Sequence, residues 1–407
     1  MQEIIVEKPY QFQPPFRRNI YPWLLQRLRL VDRFLYRFEG VESYELRGID
    51  HLKESLRQGA GIILAPNHCR YADPIAMGWL VRPLGIYIYA MASWHLFNQH
   101  PIQSLAIRLA GGFSVNREGI DRQALDMAVN SIVDGHRPLV IFPEGTVFRN
   151  NDRLQPLLDG VAFLARTAAK KRAKLGKPHT VIHPIAIKYL FKGDVVKSIT
   201  PVVEEIESRL AWFQPICRQY SMIDRVKRLS EAFLATKELE HMGQAGSGEL
   251  AERRATLVEF LIGETEKRWI GQASEGEPII PRIKALRLRI VPELLASAES
   301  QQQLMRCELN RLYVAQQIAS YPNDYLDSPV TNTRLLETVE QLEEDIWDRA
   351  RIHRPLHAVI EVGQPIEVTD AKPAKGETDP ILVQLEMRLR TMLDQLAQEA
   401  EVIDSIS

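Results

Sequence analysis

The sequence predicts an open mixed α/β sheet flanked by helices, with a large all-helical segment interrupting it. Three observations carry this expectation. From about residue 60, short apolar β-rich runs alternate with helical patterns, as in a sheet built with crossover helices. After about residue 203 the alternation gives way to a stretch rich in Glu, Lys, Leu, Arg and Gln with helical periodicity, which lasts to about 353. A strand-like run then returns at 357–362 (HAVIEV), so the sheet is expected to resume there.

In chain order, residues 1–40 read as an N-terminal amphipathic helical segment. Between 20 and 38, Trp23, Leu24, Leu28, Val31, Phe34, Leu35 and Phe38 interleave with Arg27, Arg29, Arg33 and Arg37. Such a helix suits a lipid headgroup layer, or else packs on the domain with its arginines in water. Residues 41–203 form the first part of the α/β domain. Its strands are expected at 61–66, 85–91, 113–115, 138–142 and 180–187, and its helices at 74–82, 93–109, 120–134 and 156–175. The helical insertion covers 204–353, with helices at 219–241, 249–271, 283–318 and 333–352 separated by breakers such as Gly243 to Gly248 and Tyr321-Pro322-Asn323-Asp324. Residues 354–407 supply the last strand and a C-terminal helix near 380–398.

At 407 residues the chain exceeds one average domain, and its 45% apolar and 25% charged content is ordinary for a globular protein. A net charge of -1 argues against general affinity for nucleic acid. Cys69, Cys217 and Cys307 are odd in number and far apart, which fits neither a disulfide framework nor a zinc knuckle and points to a reducing compartment. The N-terminus has no secretory pattern, and no apolar run reaches the roughly 20 residues that span a bilayer. A cytoplasmic protein, peripheral on the inner face of a membrane, is the expectation.

Four segments bring chemistry to predicted strand ends, where open α/β sheets place their ligands. Asn67-His68-Cys69-Arg70-Tyr71-Ala72-Asp73-Pro74 follows strand 61–66. A neutral imidazole takes a hydroxyl proton while a carboxylate on its other nitrogen fixes the tautomer. Asp73 before Pro74 also reads as a helix N-cap. Phe142-Pro143-Glu144-Gly145-Thr146 follows strand 138–142, with glycine for a tight turn and polar atoms beside it. Gly111 to Arg117 and His183 to Lys188 deliver Arg117, whose planar fork suits phosphate, and Lys188, a point charge. Residues 162–197 hold Arg166, Lys170, Lys171, Arg172, Lys174, Lys177, Lys188, Lys192 and Lys197 against Asp194 alone. Helix-end cations explain part of this surface, and the rest suits an acyl carrier protein, coenzyme A or anionic lipid. A metal site is disfavoured, because Asp73 and Glu144 have one nearby histidine between them.

Taken in order, these segments resemble the conserved blocks of the glycerolipid acyltransferase family, whose members include lysophosphatidic acid and glycerol-3-phosphate acyltransferases. The likeness covers about residues 40–200, and Gly363-Gln364-Pro365-Ile366 resembles the family's closing strand. The resemblance implies that His68 is the general base and Asp73 its partner, and that Arg117 and Glu144 bind the acceptor. Asn67, Arg70, Gly145, Thr146 and Lys188 are the further candidates for substrate contact. It implies no cofactor, only acyl-CoA or acyl carrier protein as donor and a lysophospholipid or glycerol phosphate as acceptor. Arg70, Ser114 and His183 depart from the family's pattern. The alternatives are the same chemistry on glycerol 3-phosphate or another lysolipid, and a catalytically weak membrane-binding scaffold.

Overall fold

The computed structural model describes residues 8–210, 220–327, 329–369 and 378–403. Two compact units emerge, one from Gln11–Gly193 with Ile352–Glu401, the other chiefly from Asp194–Arg351. Cys217 and the start of the helix expected at 219–241 fall outside the described residues.

The first unit opens with α1 (Ile20–Arg27), α2 (Leu30–Glu39), β1 (Val41–Arg47), α3 (Ile49–Arg57) and β2 (Gly61–Pro66). It continues through α4 (Asp73–Val81), β3 (Tyr89–Ser93), α5 (Leu96–Gln99), α6 (Pro101–Leu109), β4 (Gly112–Val115), α7 (Arg122–Asp134), β5 (Leu139–Val140), α8 (Gly160–Lys174) and β6 (Thr180–Phe191). The helical unit holds α9 (Val195–Leu210), α10 (Met222–Met242), α11 (Leu250–Trp269), α12 (Ile279–Ala296), α13 (Glu299–Ala319) and α14 (Asn332–Trp347). The chain then re-enters the first unit with β7 (Leu356–Val362), β8 (Ile366–Val368) and α15 (Pro380–Ala397).

The sheet runs β1-β7-β6-β2-β5-β3-β4, with β8 also on β6. β6, β2, β5, β3 and β4 are mutually parallel, and β7 and β8 run antiparallel to β6. β6 is buried along all twelve residues, which is why it reads as a continuous apolar run rather than an alternating one. Ile63, Ala65, Ile182 and Ala186 meet Ala128, Ile132, Leu164, Ala168, Leu385 and Leu389 of α7, α8 and α15 in one core. Elsewhere in the unit Tyr44 of β1 stacks on Trp79 of α4, centroids 4.3 Å apart.

Several expectations are corrected. The single helix at 20–38 is two, because Arg29 adopts a left-handed conformation (φ 50°) between them. The helix at 93–109 breaks at His100, whose ring accepts from Ile102 N, with Pro101 opening α6. Ser297 and Ala298 divide the one expected at 283–318 into α12 and α13. β1 and α3 were not expected, since the strand lies at the sheet edge and its Glu42, Ser43 and Glu45 are exposed. The first unit ends at Gly193, about ten residues before the alternation stops, because α9 begins at Val195 despite an internal Pro201.

The helical unit has its own core, in which Leu257 and Leu261 of α11 meet Leu286 and Ile290 of α12 and Leu309 and Leu312 of α13. It also buries charge in pairs: Glu207 with Arg225, Glu238 with Arg253, and Arg282 between Glu259 and Glu266. Pairing is what makes such burial tolerable, since an unpaired buried charge is strongly destabilising.

Candidate functional site

The site is built at the C-terminal end of β2. Asn67 continues the ladder with its side chain: Nδ2 donates to Ile187 O at 3.0 Å and Oδ1 accepts from Ile187 N at 2.7 Å. Both polar atoms of that amide bond the neighbouring strand and the residue is 1% exposed, so Asn67 braces the start of the His68 loop. The next residue, His68, leaves the sheet. Its N donates to Glu144 Oε1 at 2.6 Å and its carbonyl accepts from Phe148 N at 3.1 Å, so the backbone is held on both sides.

The imidazole lies against Phe142, ring centroids 4.0 Å apart, and its Nδ1 is 2.9 Å from Asp73 Oδ2. Asp73 also receives Cys69 N and Arg70 N, each at 2.8 Å, on Oδ2, and Tyr189 OH at 2.8 Å on Oδ1. A carboxylate surrounded by donors leaves His68 Nδ1 only the donor role, so Nε2 carries the lone pair. The histidine side chain is 12% exposed while Asp73 is fully buried, so the pair presents one basic nitrogen outward. Asp73 is not the helix N-cap expected from Pro74. It is the first residue of α4, Ala72 is the cap, and no side chain caps the helix; the carboxylate folds back over the preceding loop instead.

Glu144 closes the loop from the other side. It is 4% exposed, and its two oxygens accept His68 N and Gln155 N, the latter at 2.9 Å. With one backbone N–H on each oxygen, Glu144 organises the turn that carries His68. Gly145 makes this turn possible: its φ is +74°, and a Cβ there would stand 2.4 Å from Leu158 Cδ1. Burial pushes the Glu144 carboxyl up to about 8, against the pull of its two N–H donors. Between about pH 4.5 and 8 the folded protein therefore holds a proton that the unfolded chain has released, and stability falls as pH rises through that window. Glu144→Gln removes the titration and sets an amide nitrogen against one of the two N–H donors, a loss that does not vary with pH. Its melting temperature relative to wild type should rise from pH 5 to pH 8, by an amount worth on the order of a few kcal/mol. A constant offset across that range would contradict the assignment.

The cations divide. Lys188 is fully buried inside β6 and pairs with Asp152, so it does not reach an opening at the strand end. Arg70 is 2% exposed, with its guanidinium 5.5 Å from the Tyr189 ring centroid. Arg117 is exposed in a loop that Asp121 and Asn116 hold by bonds to Asn116 N and Glu118 N. It follows β4, three inter-strand spacings from β2, or about 14 Å. Thr146 is half-buried in the loop that leads to Phe148. Arg149, next to Phe148, was not singled out from the sequence; its guanidinium lies 6.0 Å from the Tyr71 ring centroid, beside the His68 loop.

The departures from the family's pattern have interior partners. Ser114 Oγ accepts from Gln13 N at 2.8 Å, and His183 bonds Gly363 O at 3.0 Å and Ser55 Oγ at 2.9 Å. Burial pulls the His183 imidazole down to about 4. The basic stretch is likewise placed away from His68. Lys170, Lys171, Lys174 and Lys177 are exposed where α8 ends and β6 begins, the opposite end of the parallel strands. Arg172 is turned inward onto the carbonyls of Gly59, Ile132, Val133 and Pro178.

Residues 48–188 match the family model described as Acyltransferase, a span that contains His68, Asp73, Arg117 and Glu144. The chain is also similar to a 1-acyl-sn-glycerol-3-phosphate acyltransferase of Streptococcus pneumoniae (strain ATCC BAA-255 / R6), with 29% identity over 139 residues. That stretch is 34% of this chain and 48% of the other protein, so the chain spans about half the length of the curated relative it matches.

Proposed function

Since residues 48–188 form a domain of the glycerolipid acyltransferase family, we propose that this chain moves a fatty acyl group from acyl-CoA or acyl carrier protein to the hydroxyl of a phosphoglycerol lipid, with 1-acylglycerol 3-phosphate as the acceptor. The observation that carries the reading is the 2.9 Å contact of His68 Nδ1 with Asp73, which leaves Nε2 as the base. Nε2 takes the acceptor's hydroxyl proton as that oxygen attacks the thioester carbonyl. The tetrahedral intermediate then expels the thiolate, which recovers the proton from the imidazolium. Asp73 stabilises the imidazolium between the two steps, and no acyl-enzyme forms. Glycerol 3-phosphate or another lysolipid is the runner-up acceptor.

Arg117 is assigned the acceptor phosphate. The hydroxyl and the phosphate of such an acceptor are only a few bonds apart, so the assignment requires the long Arg117 side chain and its exposed loop to reach back along the strand ends toward His68. Charged hydrogen bonds of this kind are worth about 1.5–3 kcal/mol, so Arg117→Ala should lower acceptor kcat/KM roughly ten- to a hundredfold with the donor KM unchanged. Arg117→Lys should recover only part of it. A phosphate-free analogue should be poor with wild type and hardly worse with Arg117→Ala, because both changes delete one interaction. Equal losses on phosphorylated and phosphate-free acceptors would make Arg117 structural.

Peripheral contact with a membrane belongs to the same proposal. Among the described residues no helix is long and apolar enough to cross a membrane. What supports surface contact is that Trp23, Leu24, Leu28, Phe34 and Phe38 on α1 and α2 and the turn between them are 39–57% exposed, beside exposed Arg27, Arg29, Arg33 and Arg37.

A further inference from the structure

We propose that Tyr189 is a positioning residue for the transfer: its hydroxyl, bonded to Asp73 Oδ1, holds the carboxylate in the orientation that aims His68. The inference rests on the proposed acyl transfer. Residue 189 lies one position past the segment that matches the family, and nothing in the blocks that carry the resemblance marks it.

The argument starts from the two oxygens of Asp73. Oδ2 receives three N–H donors, from His68, Cys69 and Arg70, whereas on Oδ1 the one short hydrogen bond is the Tyr189 hydroxyl at 2.8 Å. The loop donors ride on the same turn as His68 and move with it. Tyr189 comes from the middle of the sheet, 116 residues away, and gives the carboxylate an anchor independent of that turn. Its own position is over-determined. The backbone is paired with Ala358 of β7, its N donates to Asn151 Oδ1 at 3.0 Å, and the Arg70 guanidinium covers the ring. The side chain is fully buried, so water does not compete for the hydroxyl. Burial first and the Asp73 charge second raise the phenol well above its ordinary range, which keeps it protonated and donating.

Tyr189→Phe keeps the ring and removes the donor. The expected result is a kcat lower by roughly tenfold, the size of one hydrogen bond to a charged group, with KM for donor and acceptor unchanged. The acid limb of the kcat/KM profile should move to higher pH, because a carboxylate that has lost a donor favours the protonated imidazole more. Site-specific 3-fluorotyrosine at 189 keeps the shape and makes the phenol a stronger donor, and should move the limb the other way. This second variant also decides the matter if Tyr189→Phe does not fold. A tyrosine that only packs would alter melting temperature and leave the acid limb of both variants at its wild-type position, which would overturn the proposal. Should wild type transfer no acyl group at all, the transfer reading fails by itself. The His68 Nδ1 proton resonance still tests the geometry then: it should shift in opposite directions in the two variants, and an unmoved resonance would overturn the positioning role.

Discussion

Replacing His68 by alanine is expected to lower acyl transfer by about 10²–10⁴-fold, the usual contribution of a positioned general base. The fold should survive. His68 is bound into the protein chiefly through its backbone, to Glu144 and Phe148, and those bonds do not depend on the imidazole. Neither neighbour replaces the lost base: Cys69 is buried with its sulfur turned toward Asp73 and Ile187 O, and Glu144 has both oxygens engaged. Circular dichroism and melting temperature establish folding, and acceptor-dependent release of thiol measures turnover. Near-normal turnover by a folded His68→Ala protein would remove the mechanism.

Asp73→Asn should cost activity on a similar scale, roughly 10²–10⁴-fold, for a different reason. The amide oxygen can take the place of Oδ2 and keep the three N–H donors, while the amide nitrogen faces Tyr189, whose hydroxyl rotates to accept. The scaffold is retained and the charge that stabilises the imidazolium is lost. Asp73→Ala is the contrasting case. It strands buried donors from His68, Cys69, Arg70 and Tyr189, each unsatisfied group costing about 1–3 kcal/mol, so its first consequence is a large fall in melting temperature. Because His68 and Asp73 act as a unit, the double variant His68→Ala with Asp73→Asn should be hardly worse than His68→Ala alone. Losses that multiply would mean the two residues act separately.

Much of the sheet was legible because its strands are buried on both faces and stand out as apolar runs: β2 occupies residues 61–66 as read, and β6 begins at Thr180 as read. β1 was hidden by the charges that an edge strand exposes to water. The meeting of His68 with Asp73 was legible because they stand five positions apart on one turn. Contacts made by strand order were not. Lys188 reads as a cation delivered to the strand end only if β6 stops at 187; the strand runs on to Phe191, and the lysine finds Asp152 in its interior. The order β2-β5-β3-β4, which sets Arg117 apart from His68, has no trace in local sequence, and neither does the approach of Tyr189 to Asp73. The acceptor role of Glu144 comes from the family resemblance, whereas its bonds to His68 N and Gln155 N were not legible, because backbone donors are not residue types that a sequence displays.

Direct transfer by His68 is tested most directly by thiol release from acyl-CoA and from acyl carrier protein, with and without 1-acylglycerol 3-phosphate, with the lipid product and the intact protein weighed in the same samples. The account predicts release only when the acceptor is present, one diacyl product for each thiol, and no acyl mass on the protein when it is absent. A folded wild-type protein that releases no thiol from either donor in response to any phosphoglycerol acceptor would contradict it, and so would an acyl group found on the chain itself.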